Sequence, residues 1–99
     1  MIKVELSPDA ILDYDESFSW YAKRSRKSAL ELEDEVAAAI DRIAGEHIAC
    51  PRFDDVYQYT RLKRYPFFVV FRIAGGAAHI VAIAHTSRSP GYWKTRDQP

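Results

Sequence analysis

Apolar and polar positions alternate at the start of the chain, where Ile2, Val4 and Leu6 are separated by Lys3 and Glu5. This period of two predicts a short half-buried strand. Ser7-Pro8-Asp9 then marks a helix start: the serine hydroxyl can cap, proline suits the first helical position, and the aspartate favours the positive end of the helix dipole. Ile11, Tyr14, Phe18 and Tyr21 follow at steps of 3, 4 and 3, so one stripe is apolar to about Arg24, with Asp13, Asp15, Glu16 and Ser17 mostly off it. Ser28 and Glu31 have the capping-box spacing and predict a second helix from Ser28. Its stripe is Leu32, Val36, Ala39, Ile40 and Ile43, and Gly45 predicts its stop. The short basic link Lys23 to Lys27 makes the pair an antiparallel hairpin, and Ala29, Ala37, Ala38 and Ala39 allow close approach. Glu46 to Asp55 has no clear period and reads as a loop.

Val56 to Leu62 is rich in β-branched and aromatic residues and predicts a strand, the Lys63-Arg64-Tyr65-Pro66 segment a turn, and Phe67 to Ile73 a second strand. Gly75-Gly76 signals a two-residue hairpin, with Ala78 to His85 returning. The order is βααβββ, an α+β fold in which a helical hairpin packs on one face of an antiparallel sheet. With the glycines at the turn, Ala74 pairs with Ala77, Arg72 with His79, Val70 with Val81, Phe68 with Ile83, and Pro66 with His85. One face then carries Phe67, Val69, Phe71, Ile73, Ala78, Ile80, Ala82 and Ala84 and belongs under the helices. The other carries Phe68, Val70, Arg72, His79, Val81, Ile83 and His85, a mixture suited to solvent or a partner. Thr86 to Pro99 reads as a loop with a frayed Asp97-Gln98-Pro99 end.

A length of 99 residues fits one domain, residues 1–99, and 47% hydrophobic residues suffice for a packed core. No apolar run approaches the roughly 20 residues of a membrane span, and the N-terminus lacks the features of a secretory signal. The expectation is a cytoplasmic, unprocessed protein without a membrane partner. The single Cys50 excludes an intramolecular disulfide and a cysteine-based zinc site, and suits a buried small hydrophobe. The formal charge of zero conceals an asymmetry. Residues 1–60 carry seven Lys and Arg against thirteen Asp and Glu, whereas residues 61–99 carry seven against Asp97 alone. Either the basic third meets an acidic partner or it pairs with the acidic helices, and charge alone favours the second.

Phosphate-loop, nucleophile-elbow, zinc-protease and dinucleotide motifs are absent. His47, His79 and His85 lack the spacing of a helical metal pair, so neither a metal nor a cofactor is expected. The chemically richest segment is His85-Thr-Ser-Arg88-Ser-Pro-Gly-Tyr92-Trp93-Lys-Thr-Arg96. An imidazole, two guanidiniums and two aromatic rings permit phosphate binding, base stacking and proton transfer, the needs of an RNA-cleaving site, without selecting it. The commoner role for such residues is structural: His85 ends the strand with a backbone-directed bond, Arg88 pairs with a helix carboxylate, and Tyr92 and Trp93 cap the core.

The order βααβββ, with Trp20-Tyr21-Ala22, Pro51, the run RLKRYPFFVVFRI over Arg61 to Ile73, and His85-x-x-Arg88-x-Pro90-x-Tyr92-Trp93, resembles the RelE/ParE superfamily of type II toxin–antitoxin toxins. The likeness covers nearly the whole chain, and the ending is similar to the ParE-like, plasmid-stabilisation branch. It implies one of two mechanisms. RelE-type members cleave mRNA on the ribosome, and ParE-type members poison DNA gyrase by protein contact. If the chain is a nuclease, the candidate catalytic residues are His85, Arg88, Arg61 and Tyr92. Most of the nuclease branch's basic array is missing, however, and a sequence pI near 6.8 fits poorly with direct nucleic-acid binding. Gyrase poisoning is therefore the preferred expectation, ahead of the nuclease and of a degenerate homologue that only binds antitoxin. All three readings imply a small antitoxin partner. The expected contact surface combines Arg61, Arg64, Arg72, Arg88 and Arg96 with Phe68, Val70, Val81 and Ile83, and with His85, Tyr92 and Trp93 at the strand end.

Overall fold

Ser7 caps the first helix as its sequence predicts, its hydroxyl accepting the Ala10 amide at 3.1 Å. In the computed structural model, which describes residues 1–97, strand β1 (Lys3–Leu6) leads through this cap into helix α1 (Pro8–Ala22). Helix α2 (Arg26–Glu46) follows, then strands β2 (Tyr57–Arg61), β3 (Phe67–Ala74) and β4 (Ala77–His85), and a short 3₁₀ helix at Tyr92–Thr95. The βααβββ order is the one expected. Three strands, β2, β3 and β4, are antiparallel, while β1 joins β4 in parallel, so the sheet is mixed with the order β1-β4-β3-β2. Neither helix is long and apolar enough to cross a membrane.

Helix α2 begins a turn earlier than the capping box predicts. The cap is Ser25, whose hydroxyl accepts the Ser28 amide at 3.2 Å, and not Ser28 itself. The earlier start adds Arg26, Lys27 and Ser28 ahead of Ala29 and Leu32, the first buried positions of the helix. Gly45 does not stop α2: the helix runs on to Glu46, a 3₁₀ turn at His47–Ala49 follows, and Pro51 comes after it. Two further expectations for the hairpin fail. Ile11 is 48% exposed because the packed stripe of α1 centres on Ala10, Tyr14 and Tyr21, and Ala37 and Ala38 face outward while Ala29 and Ala39 are buried.

The core between helices and sheet holds Ala10, Leu32, Val36, Ala39 and Ile43 against Phe67, Val69, Phe71, Ala78, Ile80 and Ile83, with Cys50 among them. Burial pushes the Cys50 thiol's pKa up, as expected of a packed, inert cysteine. Gly75 and Gly76 take φ of +59° and +73°, the left-handed values a two-residue turn needs, and Arg72 pairs with His79 as expected.

Beyond that point the register departs from strict alternation. A bulge at Val81 pairs Phe71 with Ile80 but Val70 with Ala82, so Phe68 meets Ala84 and Phe67 meets His85. The expected pairs Val70/Val81, Phe68/Ile83 and Pro66/His85 are replaced. Ile83 turns under the helices, and Ala82 and Ala84 go to the other face. Ile73, at the hairpin tip, is 41% exposed rather than covered.

That other face is not left open. The segment expected to be a loop folds back, and Trp93 is buried against Tyr57, Val70, Val81, Ala82 and Ala84. Asp97, expected to fray, accepts the Tyr57 hydroxyl at 2.7 Å and the Arg72 guanidinium at 2.8 Å. Gln98 and Pro99 lie outside the described residues.

Candidate functional site

Between the end of β4, the outer part of β2 and β3, and the returning tail lies an apolar groove of about 230 Å³. Phe68 and Ala84 pair across β3 and β4, and Arg61 pairs with Phe68 from β2, so these three form one row across the sheet. Tyr59 stacks edge-on to Phe68 at 5.3 Å, and Tyr92 and Trp93 form the opposite wall. Gly91, at φ +81°, turns the chain so that the 3₁₀ helix lies along the sheet. Phe53, from the loop before β2, packs edge-on against Trp93 at 4.9 Å and helps line the groove.

The arginines expected to act together are divided by their partners. Arg64 turns to α2, with Nη1 2.9 Å from Glu31 and Nε 3.2 Å from Glu35. Arg72 is held by Asp97, and Arg96 reaches Asp13 of α1 at 2.8 Å. By contrast Arg61 lies over the Phe68 ring at 5.4 Å and Arg88 over the Tyr92 ring at 4.0 Å, and among the described residues neither has a carboxylate partner. Arg88 therefore does not pair with a helix carboxylate; Arg64 and Arg96 do.

His85 is exposed at the end of β4, and its ring meets Phe67 edge-on at 5.2 Å, on the helix-side core's edge. Its Nδ1 accepts the Ser87 amide at 3.0 Å and lies 2.7 Å from the Ser87 hydroxyl. The backbone bond fixes Nδ1 as an acceptor, so a neutral ring carries its proton on Nε2. Of the nuclease candidates, His85, Arg88 and Tyr92 line the groove together, His85 also packing against Phe67, while Arg61 lies over Phe68 and is not among the lining residues. Among the expected contact residues, Val70, Val81, Ile83 and Trp93 are buried in packing; Phe68, Arg72, Tyr92 and Arg96 are half-buried; and Arg61, Arg64, His85 and Arg88 are exposed.

Electrostatics fasten the tail. Burial raises the Tyr57 hydroxyl's pKa to about 12, and its hydrogen bond to the Asp97 carboxylate works in the same direction. Burial acts on Asp97 in the opposite sense, but the bonds from Arg72 and Tyr57 outweigh it and keep that carboxyl below its ordinary value. Asp54 is lowered to about 2 by the Lys94 ammonium, 2.6 Å away, and by the Tyr57 and Val56 amides. Tyr92 is raised, chiefly by burial.

Asp13, Phe53, Tyr59 and Asp97 were not among the residues expected here. Asp13 lies off the apolar stripe of α1 and Phe53 in a segment without period, so neither carries a local signal.

The family model described as the ParE toxin of the type II toxin–antitoxin system parDE matches residues 4–90. The chain belongs to the ParE toxin family. Its fold is similar to a solved chain from the chromosomal ParDE toxin–antitoxin system of P. aeruginosa, with a TM-score of 0.76 and 20% identity over 88% of this chain and 98% of that one. No significant match was found among curated proteins. The ParE match includes His85 and Arg88, and Tyr92, Trp93, Arg96 and Asp97, which close the groove and fasten the tail, lie beyond it.

Proposed function

We propose that this ParE-family chain inhibits growth by poisoning DNA gyrase through protein contact, and that a cognate antitoxin encoded beside it neutralises it. The observation carrying this reading is that most of the arginines around the groove are committed to carboxylates within the fold. A phosphodiester-cleaving site requires cations converging on one phosphate and a proton-transfer group beside it. Here Arg64, Arg72 and Arg96 are each committed to a carboxylate, which leaves Arg88 as the one guanidinium lining the groove, and His85, which lines it too, packs against Phe67 with Nδ1 bonded to the Ser87 amide. Membership of the ParE family points the same way. A toxin acting by contact needs no such convergence.

Purified chain titrated into a gyrase supercoiling reaction is expected to accumulate cleaved DNA, reversibly on addition of the antitoxin. His85→Ala is expected to change that activity less than twofold. Unaffected gyrase, with cleavage of translated mRNA that His85→Ala abolishes, would replace this reading with the nuclease. Antitoxin binding without a growth defect on induction would leave a binding-only homologue.

A further inference from the structure

We infer that the basic turn between α1 and α2, joined by Lys63 of the β2–β3 turn, binds the phosphate backbone of duplex DNA. None of these residues lines the groove, so the contact is a second surface. Its assignment to a duplex backbone rests on geometry; the choice of DNA over RNA rests on the gyrase reading, under which the chain acts beside a DNA duplex.

The charge is concentrated and uncompensated. Lys23, Arg24, Arg26 and Lys27 occupy four of the five positions from 23 to 27, and all four are exposed. The β2–β3 turn comes to the same end of the molecule, since Tyr65 meets Tyr21 edge-on at 5.0 Å, and it adds the exposed Lys63. Among the described residues none of these five cations forms an ion pair. Asp15 and Glu16 border a shallow hollow with Lys23 and Arg24, and Asp34 borders one with Lys63, without pairing with them. Arg64, beside Lys63, shows the contrast, because Glu31 and Glu35 both hold it.

Helix electrostatics separate a structural use of these charges from a binding one. A cation stabilises the C-terminal end of a helix and opposes the N-terminal end, where partial positive charge collects. Lys23 and Arg24 follow α1 and suit its end; Arg24 Nη1 also donates to the Trp20 carbonyl at 2.8 Å. Arg26 and Lys27 open α2, whose first turn holds no acid, so the two cations add to the partial charge already there. That placement works against folding, and the potential it produces at the turn attracts anions.

A duplex follows from what surrounds the charge. A single strand is held by stacking its bases on open rings. The exposed ring beside the turn, Trp20, already carries Arg24 on its face at 3.7 Å and meets Tyr21 edge-on at 4.9 Å. A duplex keeps its bases inside and presents a regular row of phosphates, which lysines and arginines meet without a pocket. An anionic membrane attracts the same charges, but anchoring to it also draws on apolar side chains free to insert, and with Trp20 engaged Leu30 is left for that role. The equal totals of 14 basic and 14 acidic residues confine the contact to this end, because the acidic faces of the helices repel further phosphates.

The test titrates the full chain against a fluorescein-labelled DNA duplex of about 20 base pairs, read by anisotropy between about 20 and 200 mM salt. Saturable binding without sequence preference is expected, with log affinity falling against log salt at a slope of about −3 to −4, as for about four neutralised phosphates. The Lys23→Gln/Arg26→Gln/Lys27→Gln/Lys63→Gln variant spares the Arg24–Trp20 contact. It is expected to bind about tenfold or more weakly at the lowest salt, with a slope of about −1. Its unfolding midpoint should be no lower than the parent's, because two cations leave the positive end of α2. Arg61→Gln/Arg88→Gln, beside the groove, should bind as the parent does. The inference fails if binding does not saturate at the lowest salt, if the quadruple variant binds as well as the parent, or if the groove variant carries the loss. Tighter binding of duplex RNA, of single-stranded DNA of equal length, or of phosphatidylglycerol vesicles than of the DNA duplex would also overturn it. No gyrase is present, so this titration and the supercoiling assay can fail independently.

Discussion

The phenol of Tyr57 and the guanidinium of Arg72 donate to the same Asp97 oxygen, at 2.7 and 2.8 Å, so one carboxylate ties the tail to both β2 and β3. The shared acceptor makes the tail sensitive to alkali. Burial and the Asp97 charge raise the Tyr57 hydroxyl from 10.0 to about 12, so the folded chain keeps this proton after the unfolded chain has released it. The contribution is complete below about pH 10 and disappears as pH rises through about 12. Tyr57→Phe is expected to lower stability at neutral pH by about 1–2 kcal/mol. It should also make urea unfolding less dependent on pH above about 10 than in the parent, although Tyr14, Tyr21 and Tyr92 are raised too and keep part of the slope. Equal slopes in the two proteins would remove Tyr57 from the alkaline transition. At this scale the sequence was only partly informative. The cluster His85, Arg88, Tyr92 and Trp93 did mark the region that carries the groove. The carboxylate partners of Arg64, Arg72 and Arg96 were not legible, because residues 25 to 83 positions apart supply them, as Arg72 with Asp97 and Arg96 with Asp13 illustrate.

Strand β4 shows why one element was read in the wrong phase. Its residues Val81, Ala82, Ile83 and Ala84 are all apolar, so shifting them to the opposite face incurs no hydrophobic penalty that a sequence pattern could reveal. What selects the bulged register lies on α1. The Asp13 carboxylate accepts the Ile83 amide at 3.0 Å, beyond the end of β1 where no strand remains to pair it, and the same oxygen holds Arg96 at 2.8 Å. One side chain thus joins helix, sheet edge and tail. Asp13→Ala leaves a partly buried amide and guanidinium without that acceptor, and is expected to cost about 2–4 kcal/mol in urea denaturation. Asp13→Asn, which retains an acceptor but not the charge, should cost about half as much. A loss under about 0.5 kcal/mol for Asp13→Ala would show that the bulge holds without it. The caps illustrate the same limit. Ser25 and Ser28 both offer a capping hydroxyl, and the helix uses the earlier one, a choice that local spacing does not express.

On the scale of the whole molecule, periodicity was enough for the element order and for most of the helix-side core, since the apolar stripe of α2 stands against a strongly polar face and Arg72 marks the outer side of β3. The covering of the second sheet face was not, because it depends on a tail whose aromatic residues have no period. The charge asymmetry was legible, and its outcome is divided. Much of the basic last third pairs with the acidic remainder, through Arg64 with Glu31 and Glu35, Lys94 with Asp54, and Arg96 with Asp13, while Arg61 and Arg88 stay outward. Such cross-chain pairing has a consequence in acid. Glu35 is drawn upward by burial, but the Arg64 amide and guanidinium outweigh that and hold it below its usual value; Asp97 behaves likewise, and Asp54 sits at about 2. Each carboxyl is therefore protonated more readily in the unfolded chain. Their contribution is complete above the unfolded value of about 4 and is lost as pH falls through the lower folded values. Losing these charges also leaves 14 Lys and Arg and three His with fewer counter-charges, adding self-repulsion across the molecule. The urea midpoint is expected to fall steadily between about pH 5 and about pH 2. Glu35→Gln should begin lower at neutral pH and fall less steeply, because one of the protons that drives the transition is gone. Parallel curves for the two proteins would place the acid sensitivity in carboxylates other than the one that joins α2 to the β2–β3 turn.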